Sequence, residues 1–196
     1  MLFRSPPAAV GIAWQPGSAG HLGLDAARAG AVDLDLEIGD AGLLGGPDAD
    51  PDLLARLVSR LRLSTAALAL GTARRAREYA SAYAMERVAF AKPIAAFQGV
   101  SFMLADAEMQ IAAARLEVWD VATSLERADI DALERAVSLA VNYATAVACS
   151  VTRDAVQVLG GHGFIEDHPV ERWYRSAAAL SAVDFDPTCV PFSAAL

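Results

Sequence analysis

Two short stretches of the chain hold side chains whose types and spacing could do chemistry. The first reads Arg87-Val88-Ala89-Phe90-Ala91-Lys92-Pro93-Ile94, then Phe97-Gln98. An arginine where a helix stops, with an aromatic in the turn after it, can hold a phosphate and stack on a flat ring. The guanidinium donates two parallel hydrogen bonds from a planar fork, which suits pyrophosphate. The same arginine could simply satisfy the last carbonyls of its helix. The second stretch is AVQVLGGHGF, residues 155–164. Gly160, Gly161 and Gly163 crowd into four positions, more than a helix stop requires. Bare backbone lets another group come close, and the amide of Gln157 sits one turn earlier. The stretch is either a glycine-rich cap and turn or a surface that receives a polar ligand.

Helices must position both stretches. Asp50-Pro51 reads as an N-cap with proline at the first helical position. Leu54, Leu57, Val58 and Leu61 keep helical spacing, and the pattern runs to about Arg87. Pro93 forbids its continuation. A second helix is predicted from about Ala95 to Leu125. It carries one apolar stripe through Phe102, Ala105, Met109, Ala112, Leu116 and Trp119, and another through Leu104, Ile111, Val118 and Leu125. A helix apolar on two sides must be covered on two sides. One side is expected to meet its own bundle and the other a neighbouring subunit; a central helix of a monomeric bundle is the alternative. A third helix is predicted from about Asp131 to Leu159 and a short fourth from Val170 to about Leu180. Before them, Val32, Leu34, Leu36 and Ile38 alternate with Asp33, Asp35 and Glu37, which predicts a half-exposed strand over 32–38. One or two strands make no stable sheet alone. Residues 1–46 therefore read as the tail of a β domain, or as a segment leaning on a partner. Residues 47–196 read as an up-and-down four-helix bundle domain, with Gly45-Gly46-Pro47 as the linker.

Composition narrows the function. Hydrophobic residues make up 55% of the 196, enough for a large helical core. A net charge of −8 gives nucleic-acid binding little electrostatic support. The two cysteines, Cys149 and Cys189, form no CxxC or zinc spacing and read as free thiols in a reducing compartment, the cytoplasm. Pro6 and Pro7 make the start a poor secretion signal. The uncharged run 136–152 holds too many Ser, Thr and Asn for a membrane span and fits a helix buried in protein. His162, Glu166, Asp167 and His168 straddle a turn and form no standard metal motif. Gly17-Ser18-Ala19-Gly20 lacks the spacing of a nucleophile elbow.

Three motifs in order resemble the acyl-CoA dehydrogenase family over about residues 50–184. They are R-x-x-F-x-x-P-I-x-x-F-Q at 87–98, Q-x-L-G-G-x-G-F at 157–164 and P-V-E-R-x-Y-R at 169–175. Residues 22–27 and 43–46 are similar to the end of the family's middle β domain. The resemblance implies a flavoenzyme fold whose C-terminal four-helix domain helps build a tetramer, with FAD at a subunit interface. It implies that Arg87 binds phosphate, that Phe90 packs near the cofactor, and that Gln98 and Gln157 supply amide hydrogen bonds. Gly160 and Gly161 would let backbone approach the neighbour's FAD.

The implied reaction removes the α proton of an acyl-CoA thioester while hydride passes from the β carbon to FAD, a step of fatty-acid metabolism. The family's base is normally a glutamate nine residues after the arginine of the third motif. That position is Asp184 here, a carboxylate one methylene shorter; Phe185 and Asp186 replace the glycine and threonine that normally follow. An ordinary surface aspartate is the alternative. Some relatives carry the base on the first long helix, where this chain has Leu61, which takes no proton. Arg62 matches an arginine common in the family, there to orient the catalytic region or to face solvent. Ser176 replaces the usual aspartate after Arg175. The N-terminal domain, most of the β domain and the last helix have no counterpart in the sequence. The resemblance thus implies a dehydrogenase component, homo-oligomeric or paired with a full-length dehydrogenase chain. A helical scaffold completing a partner's FAD site without chemistry of its own is the alternative.

Overall fold

Asp50 starts the first long helix as expected: its side-chain oxygen accepts the Asp52 N–H at 2.9 Å, and Pro51 occupies the first turn. The computed structural model describes residues 12–16, 30–35 and 50–182. Helix α1 spans Pro51–Glu86, α2 Gln98–Ser124, α3 Ile130–Leu159 and α4 Val170–Leu180. Each boundary lies within a few residues of the sequence reading. Asp129 caps α3 as Asp50 caps α1, accepting the Asp131 N–H at 3.1 Å. The helices form an up-and-down bundle in which α3 packs against α1, α2 and α4.

Alanine sets the closeness of this packing. Ala66, Ala69, Ala73, Ala76, Ala80 and Ala84 form the fully buried face of α1. Opposite them, α3 buries Val137, Val141, Ala144, Ala148, Val151 and Ala155. Small side chains at helical spacing let two backbones approach, and the valines fill what remains. Of the polar residues in the run 136–152, Ser138, Thr145 and Thr152 are buried, whereas Tyr143 is exposed. Thr145 and Thr152 return their hydroxyls to the carbonyls of Val141 and Ala148 at 2.8 and 2.7 Å, so neither leaves an unmet group. Arg56 of α1 donates to the carbonyls of Leu125 and Ala128, closing the α2–α3 turn.

The β segment is a ribbon of β1 (Ile12–Pro16) and β2 (Gly30–Leu34), antiparallel, with Ile12 opposite Leu34 and Pro16 opposite Gly30. The expected strand starts two residues earlier than 32. Leu36 to Ile38, the linker at 45–47, the Gly17–Gly20 turn and Asp184 lie outside the described residues.

Candidate functional site

Arg87 ends α1 with extended backbone, φ −71° and ψ 116°, its N–H donating to the Tyr83 carbonyl at 2.8 Å. Its own carbonyl accepts the Ile94 N–H at 2.8 Å, fixing the turn from both sides. The guanidinium is exposed and makes no hydrogen bond or ion pair with a described residue. The helix-capping alternative for Arg87 is thus met by its backbone, and the side chain is left available.

Beyond Arg87 the chain folds into a minimal hairpin, β3 (Val88–Ala89) against β4 (Lys92–Pro93). Its two turn residues, Phe90 and Ala91, both take positive φ, 51° and 64°. Such turns favour Asn-Gly, and a phenylalanine there is strained. Strain of this kind persists where the surroundings impose it, and it clusters at ligand sites. It projects Phe90 outward, 91% exposed, with its ring edge-on to Phe97 at 6.2 Å. The Lys92 ammonium lies 4.2 Å over the Phe97 ring. A short 3₁₀ turn, Ile94–Ala96, then leads into α2, whose first residue is the exposed Gln98. No side chain caps this helix start, and the Val100 N–H donates to the Phe97 carbonyl at 2.9 Å.

The glycines divide their work. Gly160 ends α3 at φ 60° and ψ −132°, a conformation other residues rarely adopt, and its N–H closes onto the carbonyls of Val156 and Gln157. Gly163 is buried, and a Cβ there would lie 2.5 Å from the Val156 carbonyl oxygen, so packing requires this glycine. Gly161 has neither reason: its φ is not positive and a Cβ would meet nothing within 4 Å. Its bare backbone faces open space, as does Gln157 one turn before.

The two stretches come together at one end of the bundle. Tyr83, one turn before Arg87, meets His162 Nδ1 at 2.7 Å through its hydroxyl, and His162 directly follows Gly161. Tyr79 meets His168 Nδ1 at 2.9 Å and packs edge-on to Trp173 of α4 at 5.7 Å. The His162 and His168 rings lie 5.5 Å apart. Ala80, Ala84, Val156, Leu159 and Val170 form the apolar floor beneath. Sequence reading set the histidines aside as metal ligands without finding this role, since their phenol partners lie 79 and 89 residues away. Among the described residues no group of three or more His, Cys, Asp or Glu could hold a metal.

In α4, Arg175 is held by Glu171, Nη2 and Nε reaching the same carboxylate oxygen at 2.7 and 2.8 Å. Leu61 is exposed on α1, and Arg62 is half-buried and partnered. Cys149 is a free thiol whose pKa burial pushes above 9.0, against a smaller downward pull from Arg153.

A profile of the acyl-CoA dehydrogenase C-terminal domain matches residues 53–184. An acyl-CoA dehydrogenase of Bacillus subtilis (strain 168) is 40% identical over 141 residues, 72% of this chain and 37% of the relative. The solved butyryl-CoA dehydrogenase of Megasphaera elsdenii superposes with a TM-score of 0.82 at 29% identity, over 95% of this chain and 48% of that one. A chain of the ChsE4–ChsE5 complex of Mycobacterium tuberculosis superposes with a TM-score of 0.76 at 28% identity, over 91% of this chain and 46% of that one. The chain therefore spans well under two thirds of the proteins it matches.

Proposed function

The chain belongs to the acyl-CoA dehydrogenase family through that family's C-terminal helical domain, and from there we propose that it serves FAD-dependent α,β-dehydrogenation of an acyl-CoA thioester within an oligomer. What supports this reading is the Tyr83–His162 contact, which ties the helix end carrying Arg87, unpaired among the described residues, to the segment that carries Gly161. These residues fit a dinucleotide. Arg87 would grip the pyrophosphate by its fork, and the uncapped start of α2 would add N–H donors for the same charge. Gln98 and Gln157 would give directional amide hydrogen bonds, Phe90 a flat apolar face, and Gly160 and Gly161 room for approach. FAD, when bound, supplies the hydride acceptor.

Asp184 is our candidate base. Its carboxylate would take the α proton of the thioester and hold it, which requires desolvation and placement near that carbon. One methylene fewer than glutamate sets its oxygens about 1 Å back, enough to cost about 10²-fold in rate if nothing compensates. The second reading is a non-catalytic subunit that completes the FAD site of a full-length dehydrogenase chain. Leu61 favours it, standing exposed and apolar where some relatives carry their base. The ChsE4–ChsE5 complex, to which this chain is similar, is named for two different chains. No described helix is long and apolar enough to cross a membrane; the cytoplasm is the proposed location.

Dye reduction by acyl-CoAs, with the chain alone and mixed with a full-length homologue, separates the readings. Turnover that falls at least 10²-fold in Asp184→Asn while FAD is retained supports Asp184 as base. Turnover unchanged in that variant, but dependent on Arg87, supports the scaffold reading.

A further inference from the structure

His162 is an exposed side chain that is nonetheless held in one orientation. The Tyr83 hydroxyl meets its Nδ1 at 2.7 Å, and the Tyr83 ring stands edge-on to it at 6.0 Å. The His168 ring lies 5.5 Å away, tilted by 33°. His168 is fixed in the same fashion, by the Tyr79 hydroxyl on its own Nδ1 at 2.9 Å. Tyr79 and Tyr83 stand one turn apart on α1, so one face of that helix presents two phenols, each taking one imidazole. Fixing an exposed side chain costs rotamer entropy, and an exposed hydrogen bond returns little stability. An orientation kept against that cost is the preorganisation that binding sites use.

Tyr83 joins this ring to the rest of the site. Its carbonyl accepts the Arg87 N–H at 2.8 Å, while its hydroxyl reaches the residue that follows Gly161. No packing contact explains why Gly161 is bare. Nε2 of His162 makes no hydrogen bond with any described residue. A group arriving at Gly161 finds Nδ1 taken and Nε2 open.

We propose that His162 is a further ligand for the phosphate oxygens of the dinucleotide, with Tyr83 as the residue that positions it. The inference rests on the reading above that a dinucleotide lies between Arg87 and the glycines, and position 162 is one that the motif leaves open to any residue. The phenol O–H donates to Nδ1, which puts the ring hydrogen on Nε2. Nε2–H then donates to a phosphate oxygen, a charge-assisted bond in addition to that of Arg87. The protonated ring donates from the same nitrogen, so the contact needs no particular charge state. His168, half-buried, braces the ring and touches no ligand itself.

Two substitutions separate the two nitrogens. Asparagine sets an amide oxygen near the place of Nδ1, keeping an acceptor for Tyr83, and has nothing at Nε2. Glutamine reaches the place of Nε2 with an amide N–H and gives up Nδ1. In titration calorimetry of the assembled protein, His162→Asn should weaken FAD and ADP alike by about tenfold, the loss of one hydrogen bond to a charged acceptor. Adenosine, which lacks the phosphates, should bind wild type and variant equally. His162→Gln should hold FAD within about threefold of wild type. Ring nitrogen chemical shifts should place the His162 hydrogen on Nε2 in wild type, and Tyr83→Phe should abolish that preference. A His162→Asn protein that binds FAD as wild type does, while Arg87→Ala weakens it, would overturn the proposal and leave the dinucleotide reading standing. A loss of adenosine binding equal to that of ADP, or a ring hydrogen found on Nδ1, would overturn it too. Wild-type protein that binds neither FAD nor ADP would overturn both the proposal and the reading beneath it.

Discussion

Cys149 shows how one side chain reports its surroundings. Burial holds its thiol pKa above 9.0 in the folded chain, while the unfolded thiol titrates at its ordinary value. The charged form is the one burial disfavours, so this site's contribution to stability is complete below the unfolded pKa and declines as pH rises through the folded one. In Cys189→Ser protein, the rate of Cys149 alkylation against pH should rise at higher pH than that of a small free thiol. Arg153→Ala should move it higher still, because the guanidinium is the group pulling the pKa down. Gly160, Gly161 and Gly163 make a second test, since they look alike in sequence and differ in structure. Gly160→Ala should cost about 1–3 kcal/mol in chemical denaturation for its positive φ. Gly163→Ala should cost a similar amount by driving a methyl into the Val156 carbonyl, about 1–3 kcal/mol. Gly161→Ala should leave stability within about 0.5 kcal/mol, and any loss it causes should appear in FAD affinity.

At the scale of elements, what was legible in the sequence is what local chemistry writes down. Asp50-Pro51 announced a helix start, Pro93 an end, and the stripes of α2 separated into one buried and one exposed face. The hairpin at 88–93 was not legible, because Phe90-Ala91 is a poor turn signal; tertiary context imposes that conformation. The Tyr79, Tyr83, His162 and His168 cluster was hidden for another reason, since only the fold brings its members together. The strand was visible by its alternation from Val32, but not Gly30 and Ala31, which carry no such pattern and join it by pairing with Pro16 and Gln15. Tyr83→Phe tests the cluster. It removes one half-exposed hydrogen bond, which should lower stability by about 0.5–1.5 kcal/mol, and it should loosen the glycine segment, read as faster amide exchange at 160–164.

At the scale of the whole molecule, a bundle with an α1 face carrying exposed Leu53, Leu57, Leu61 and Leu68, and an α2 seam of the same character, presents large apolar surfaces. Surfaces of this kind mark contacts with other chains or domains. The end of the bundle beside Arg87 is the part we propose for a dinucleotide. The central claim is that the Arg87 turn and the Gly160–Gly161 backbone act together as a grip for FAD. The most direct measurement is FAD affinity of the assembled protein, by titration calorimetry, for wild type and Arg87→Ala, with helical content and oligomeric state checked to be equal. Loss of a charge-assisted pair should weaken binding by roughly 10- to 100-fold. An Arg87→Ala protein that is folded, assembled and binds FAD as tightly as wild type would contradict the claim.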